Sequence, residues 1–203
     1  MSKASSGKSV VVIGGTGGIG HAIAQYYSDK GCDVVITGRD LERTNAVAKD
    51  IAGKTRGIAV DISEPESIEE KLASLGHVDH LALVAVDRDY NSARDYNVQR
   101  ARKIVTLKLI GYTEVAHTLF PRMGAGASAV LFGGLASERP YPGSTSITTV
   151  NGAVSSLIRT LAVELAPVRF NAIHPGIISD TPASASRCSR SALSCRTTPA
   201  YPR

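Results

Sequence analysis

The sequence predicts an α/β fold of three layers (α/β/α), in which helices cover both faces of a doubly wound parallel sheet. Segments of strand type alternate with helical segments along the chain, which is the pattern of parallel sheets. The fourth predicted strand is continuously apolar, as expected of a strand that is buried on both faces. The 203 residues are enough for one well-buried domain and few for two. We therefore expect one domain with six strands, over residues 8–182.

A glycine-rich turn forms part of the first unit of this pattern. Residues 9–13 read as a buried strand and residues 21–27 as a helix, and between them lies Gly14-Gly15-Thr16-Gly17-Gly18-Ile19-Gly20. In this context glycines let the backbone approach a pyrophosphate, and the start of the helix offers free N–H groups and the positive end of its dipole. A dinucleotide is therefore the first candidate ligand. The spacing fits three glycine templates at once, and an ordinary tight turn is the alternative.

The second and third strands follow in the same order. Residues 33–37 and 57–61 are predicted strands because of their β-branched and apolar runs, with the helix Leu41–Ile51 between them. After the third strand, Ser63-Glu64-Pro65-Glu66 indicates the start of a helix. It combines an N-cap residue, a proline in the first turn and acidic residues near the helix start.

The alternation continues through the second half of the chain. The predicted elements are strands over 80–86, 128–132 and 168–174 and helices over 96–120 and 146–165. His174 ends the last strand, where it could face a ligand or simply pack, and Pro175-Gly176 follows. In a doubly wound sheet, ligands bind at the carboxyl ends of the strands.

Composition and charge argue against several classes of protein. More than half of the net charge of +5 lies in residues 177–203, which hold four arginines and one acid. No helix carries a basic stripe with aromatic residues, so we expect no nucleic-acid partner. No apolar run is long enough to span a membrane and no secretory signal precedes the first strand, which predicts a cytoplasmic protein without a membrane partner. Three cysteines without metal spacing indicate neither a disulfide framework nor a metal site.

The composition changes after Pro182. Residues 183–203 shift to Ser, Arg and Cys and have no apolar periodicity, so we expect a disordered or aberrant tail. A natural mobile tail and a shifted reading frame in the coding sequence are the two explanations that stay open.

The chain resembles the short-chain dehydrogenase/reductase family over about residues 8–182. The resemblance is carried by Gly14-x-x-x-Gly18-Ile19-Gly20, Asp61, Pro140-Tyr141-Pro142-Gly143, Leu161-Ala162-x-Glu164-Leu165-Ala166 and Asn171-Ala172-x-x-Pro175-Gly176. Together these motifs are specific. They imply a Rossmann-like fold, a nicotinamide cofactor and an oxidoreductase.

The resemblance also implies where the cofactor binds. The residues concerned are Gly14, Thr16, Gly17, Gly18, Ile19, Gly20, Arg39, Asp61, Ile62, Ala85, Pro175, Gly176 and Ile177. Arg39 follows Gly38, which stands where a NAD-binding member carries an acid. An arginine there can pair with a ribose 2′-phosphate, so NADP(H) is favoured over NAD(H). A solvated arginine at the start of a helix is the alternative.

Other residues occupy the positions of the family's catalytic side chains. The serine position falls near Gly134, the tyrosine position on Ile147 and the lysine position on Asn151, while the asparagine position falls on Lys108. Lys108 could supply positive charge to an oxyanion, and Asn151 could donate a hydrogen bond. These two residues are the positional candidates for catalysis, with roles in packing as the alternative.

Two functions are compatible with these observations. The first is an NADP(H)-dependent oxidoreductase that acts on a small carbonyl or alcohol substrate, which the sequence does not identify. The second is a non-catalytic sensor or partner protein that binds NADP(H) on the same fold. By analogy with the family we expect a homodimer or homotetramer, with the helices around residues 107–120 and 146–165 at the interface.

Overall fold

The computed structural model describes residues 7–87, 89–176 and 178, which form a parallel sheet with helices on both faces. The strands in this part of the chain are β1 (Ser9–Ile13), β2 (Asp33–Gly38), β3 (Lys54–Ala59), β4 (His80–Leu83), β5 (Ser128–Phe132) and β6 (Arg169–Ile173). The α-helices are α1 (Gly18–Asp29), α2 (Leu41–Ile51), α3 (Ile68–Leu72), α4 (Val98–Val105), α5 (Tyr112–Leu119) and α6 (Thr145–Glu164).

The strands are arranged in the order β3-β2-β1-β4-β5-β6, and each neighbouring pair is parallel. From β1 the chain adds β2 and β3 on one side of the sheet. It then returns to the centre and adds β4, β5 and β6 on the other side, so the switch point lies between β1 and β4. This is the doubly wound, Rossmann-like topology, and the predicted fold class is confirmed. The connections that follow β1 and β4 lead to opposite sides of the sheet at this switch point, which leaves a crevice for a ligand.

Apolar clusters on the two faces of the sheet form the core. Val11 and Ile13 of β1 belong to the cluster that includes α5, whereas Val10 and Val12 belong to the cluster that includes α1 and α2. Successive side chains of a strand point to opposite faces, so β1 contributes to both clusters. The central strand is therefore buried from both sides, as its continuous apolar sequence requires.

The third strand lies earlier in the chain than predicted. β3 covers Lys54–Ala59 rather than 57–61, because its pairing with β2 ends where that strand ends. The Asp61 carboxylate then accepts the backbone N–H of Ser63 at 2.9 Å, which turns the chain away from the sheet. The helix predicted here begins as the 3₁₀ turn Pro65–Ser67 and continues as α3.

The fourth strand is shorter than predicted. β4 ends at Leu83 rather than at residue 86. The N–H groups of Val84 and Ala85 both donate to the carbonyl of Ile13, at 2.9 Å each, so the regular ladder stops there. The remaining apolar residues of the run pass over the end of β1 and line the crevice instead.

The helical region predicted over 96–120 consists of α4 and α5 with a π-helical turn, Thr106–Gly111, between them. Such turns are rare and occur frequently at functional sites. Gly111 allows a close approach here, since a Cβ at this position would lie 2.1 Å from the carbonyl oxygen of Ile62. This contact holds the π turn against the loop that follows β3.

Some predictions concern residues outside those described. Ile177, the end of the predicted domain at residue 182 and the segment 183–203 all lie there. Within the described ranges, no helix is both long and apolar enough to cross a membrane. In the same ranges, no three His, Cys, Asp or Glu side chains are grouped as metal ligands would be.

Two helical glycines provide a test of this packing. We expect Gly111→Ala to lower the free energy of unfolding by about 1–3 kcal/mol, because the added methyl group overpacks the contact with Ile62. Gly152 lies in α6, and a Cβ added there would have no packing neighbour within 4 Å. Gly152→Ala is therefore expected to raise the free energy of unfolding by about 0.5–1 kcal/mol, through helix propensity. Urea denaturation measures both, and equal effects would contradict the close approach at Gly111.

Candidate functional site

A cleft of about 600 Å³ runs along the carboxyl edge of the sheet. The end of every strand contributes to it. Its lining includes Asp61 after β3, Arg39 after β2, Gly14 after β1, Ala85 after β4, Gly133 after β5 and Pro175 after β6. The cleft therefore extends across the whole width of the sheet, over the switch point between β1 and β4.

The glycine turn forms the floor of this cleft, and its backbone geometry depends on glycine. Gly14 has φ +89°, and a Cβ there would lie 2.7 Å from the Ala85 Cα. A Cβ at Gly20 would lie 2.1 Å from the Gly14 carbonyl oxygen, so Gly20 packs beneath the turn and does not line the cleft. Among the described residues of this turn, the cleft is lined by Gly14, Thr16, Gly17, Gly18 and Ile19.

Helix α1 begins inside this turn and presents an uncapped N-terminus to the cleft. Its N-cap residue is Gly17, which has no side chain to accept a hydrogen bond, and its first turn has no acidic residue. The first N–H groups of a helix lack partners within the helix, and the helix dipole adds partial positive charge. This end of α1 is therefore suited to an anion such as a pyrophosphate.

Two arginines line the cleft on the side of β2 and α2. Arg39 follows β2, and Arg43 lies one helical turn further on, so both side chains reach the same side. The sequence analysis missed Arg43, although its spacing of four residues from Arg39 could have indicated it. Asp61 and Ile62 line the neighbouring part of the cleft.

Thr37 also lines the cleft and was not predicted. Its hydroxyl accepts the backbone N–H of Gly14 at 3.2 Å, and its carbonyl accepts the N–H of Gly15 at 3.0 Å. The side chain is buried at 1% exposure. Thr37 thus ties the glycine turn to the end of β2.

Lys108 lies at the opposite end of the cleft, within the π turn. Its side chain is buried, the Nζ donates to the carbonyl of Phe132, and the Nζ lies 5.1 Å from the centre of the Tyr112 ring. Burial lowers the pKa of Lys108 from 10.5 to about 7, because the ammonium form loses its hydration. Both protonation states of the amine are therefore accessible near neutral pH.

Tyr112 supports this end of the cleft from below. Its hydroxyl donates to the Ala85 carbonyl at 2.8 Å, and burial raises the pKa of Tyr112 far above its usual value of 10.0. The phenol is therefore neutral and acts as a hydrogen-bond donor. It connects the end of β4 to α5 beneath Lys108.

The space beside the predicted serine position is occupied by two other side chains. A Cβ at Gly133 would lie 2.4 Å from the ring of His174, and a Cβ at Gly134 would lie 2.6 Å from the Asn151 Nδ2. The Gly134 N–H donates to His174 Nδ1 at 3.2 Å, and the other ring nitrogen lies 3.0 Å from the Ser155 Oγ. His174 therefore packs against the backbone at the end of β5.

The four residues that the sequence places at the family's catalytic positions differ in their relation to the cleft. Of the described residues at these positions, Lys108 lines the cleft, and Gly134, Ile147 and Asn151 do not. Asn151 is buried, and its Oδ1 has no hydrogen-bond partner among the described residues. Pro175 lines the cleft, whereas Gly176 lies just outside it.

The arrangement of these residues fits a dinucleotide. The uncapped start of α1 suits a pyrophosphate. A side chain at Gly14 would collide with the backbone of Ala85, and a side chain at Gly20 would collide with the backbone of the turn. Asp61 and the arginines lie on one side of this anion site, and Lys108, Gly133 and Pro175 lie on the other. The cleft can therefore accommodate two different halves of a ligand on either side of a central phosphate group.

Comparison with known proteins places this chain in a family. The family model for short chain dehydrogenases matches residues 8–191. The short-chain dehydrogenase/reductase ucsE of Acremonium sp is 31% identical over 196 residues, and the match covers 84% of this chain and 72% of that protein. Sulfoacetaldehyde reductase of Chromohalobacter salexigens is 27% identical, with 83% of this chain and 71% of that protein covered.

Solved structures agree with the sequence comparisons. A short chain dehydrogenase/reductase family protein superposes with a TM-score of 0.84 at 29% sequence identity, covering 93% of this chain and 82% of that chain. The fold, the glycine turn and the matched range all point to the same group. The chain belongs to the short chain dehydrogenase family, whose members are oxidoreductases that bind a nicotinamide cofactor.

Proposed function

We propose that this protein is an NADP(H)-dependent oxidoreductase that acts on a small carbonyl or alcohol substrate, with Lys108 as its proton donor and acceptor. The observation that carries the proposal is the buried Lys108, whose pKa of about 7 lies near neutral pH and whose side chain lines the same cleft as the glycine turn. The other catalytic positions of the family hold groups that cannot exchange a proton near neutral pH.

The preference for NADP(H) rests on the charges at the β2 end of the cleft. Arg39 and Arg43 both line it, and Gly38 stands where a carboxylate would repel a phosphate. Guanidinium groups form paired, charge-assisted hydrogen bonds with phosphate oxygens. NAD(H) has a hydroxyl in place of the 2′-phosphate and would gain much less from two arginines.

Lys108 supplies the acid–base chemistry in this proposal. A bound nicotinamide cofactor supplies the hydride for reduction and accepts it for oxidation. Reduction of a carbonyl leaves negative charge on its oxygen, and the Lys108 ammonium donates a proton to that oxygen. The neutral amine then takes a proton from solvent, and in oxidation it accepts the proton of the alcohol.

A non-catalytic protein that binds NADP(H) is the second candidate function, and one observation favours it. Asn151, at the position of the family's lysine, and Ile147, at the position of its tyrosine, lie outside the cleft lining. Lys108 then has a structural role, in which its Nζ holds the end of β5 through the Phe132 carbonyl. In that case the cleft binds NADP(H) and no reaction follows.

The cofactor preference is tested by Arg39→Gln. We expect the wild-type protein to bind NADPH more tightly than NADH, and the variant to lose about tenfold in NADPH affinity, because one charge-assisted phosphate contact contributes roughly 1.5 kcal/mol. Titration calorimetry measures both dissociation constants. Arg159→Gln, an exposed arginine of α6, is the matched control and should leave both unchanged. Equal binding of the two cofactors by the wild type would refute the NADP(H) preference.

The role of Lys108 is tested by Lys108→Met, which keeps an unbranched, apolar stem and removes the amine. We expect turnover of a panel of aldehydes and ketones with NADPH to fall about 100-fold or more, since general acid catalysis contributes at least this much. In the wild type, the rate of reduction should fall as the pH rises through about 7, because the neutral amine has no proton to donate. The rate of alcohol oxidation should rise over the same interval.

Binding and folding controls separate the two candidate functions. Lys71→Met, at an exposed position of α3, should retain full turnover. NADPH binding by Lys108→Met shows that the variant is folded. Undiminished turnover by this variant, or a rate that does not depend on pH near 7, would exclude Lys108 as the acid. Tight NADPH binding by the wild type without turnover of any substrate in the panel would favour the non-catalytic function.

A further inference from the structure

Asp87 lies between two cations at the mouth of the cleft. Its Oδ2 is 2.9 Å from the Lys103 Nζ and 3.8 Å from the Arg39 Nη1. Lys103 belongs to α4, and Arg39 follows β2, so the carboxylate connects two elements that are distant along the chain. Asp87 and Arg39 both line the cleft.

The contact between Arg39 and Asp87 crosses over the glycine turn. Arg39 follows β2 and Asp87 follows β4, and these two strands flank β1 in the sheet. The turn that suits a pyrophosphate begins at Gly14, directly after β1. The ion pair therefore bridges the cleft above the strand from which the anion site starts.

We propose that Asp87 is a specificity-determining residue that competes with the cofactor's 2′-phosphate for Arg39. This inference rests on the proposed binding of NADP(H). Without cofactor, the Arg39 guanidinium has Asp87 as its anion. A 2′-phosphate replaces the carboxylate at Arg39, and the contact across the glycine turn opens.

Lys103 makes this exchange easy. The distance from Asp87 to Lys103 is the shorter of the two, at 2.9 Å, so the carboxylate keeps an ionic partner when Arg39 leaves it. The Arg39 contact is longer and its side chain is 64% exposed, which makes it the weaker and more readily exchanged of the two. NAD(H) has no phosphate to offer Arg39, so the ion pair across the turn persists. Asp87 therefore lowers the preference for the phosphorylated cofactor below the preference that Arg39 alone would give, and its contact with Lys103 limits this loss.

The test compares the dissociation constants of NADPH and NADH for Asp87→Asn, measured by titration calorimetry on the full-length protein. We expect the NADPH dissociation constant to fall about threefold, as expected from the loss of one exposed ion pair that opposes binding, and that of NADH to change less than twofold. Lys103→Met should have the opposite effect, because Asp87 then has Arg39 as its main partner. Asp50→Asn removes an exposed carboxylate of α2 outside the cleft lining and is the charge control.

A double-mutant cycle shows whether the effect acts through Arg39. In an Arg39→Gln background, Asp87→Asn should no longer change the NADPH dissociation constant by more than about twofold. An unchanged ratio of the NADPH and NADH constants in Asp87→Asn, or an effect that persists in full without Arg39, would overturn the competition. Failure of the underlying function is distinguishable, since the wild-type protein would then bind neither cofactor or bind both equally.

Discussion

The structure depends on the close approach of three strand ends around the glycine turn. Gly14 follows β1 with φ +89°, its N–H donates to the Thr37 hydroxyl near the end of β2, and its Cα faces the Ala85 backbone after β4. A side chain at Gly14 or at Gly20 would separate these segments. The same contacts that join β2, β1 and β4 also leave the start of α1 open. The packing of the sheet centre and the shape of the anion site therefore depend on the same contacts.

At the β5 and β6 end of the cleft, the chemistry depends on which side chains fill the space beside two glycines. Glycines at positions 133 and 134 leave room that the His174 ring and the Asn151 amide occupy, so the end of β5 is packed rather than reactive. The amine that lines the cleft belongs to a different element, the π turn that contains Lys108. The same fold can thus form a cleft at the same place while different residues supply its polar groups. The function has to be argued from Lys108 itself.

Much of the fold could be predicted from the sequence, because the apolar and β-branched runs of β1, β2 and β5 are local signals. The ends of β3 and β4 could not, since they depend on hydrogen bonds to neighbouring strands, as at Ile13 with Val84 and Ala85. In the cleft, the glycine turn and Arg39 were visible as motifs, and the structure brings them together. The π turn, the burial of Lys108 and the ion pairs of Asp87 required three-dimensional contacts. No periodicity in the sequence marks any of them.

The burial of Lys108 also links the fold to pH through its effect on the unfolding equilibrium. In the unfolded chain the amine has its ordinary pKa of 10.5, and in the folded chain this pKa is about 7. Below pH 7 both states carry the proton, and folding includes the full penalty of dehydrating an ammonium group. Between pH 7 and 10.5 the unfolded state binds more protons, so this group makes the protein more stable as the pH rises, by a few kcal/mol in total. At acidic pH, Lys108 therefore lowers the stability of the fold that contains it.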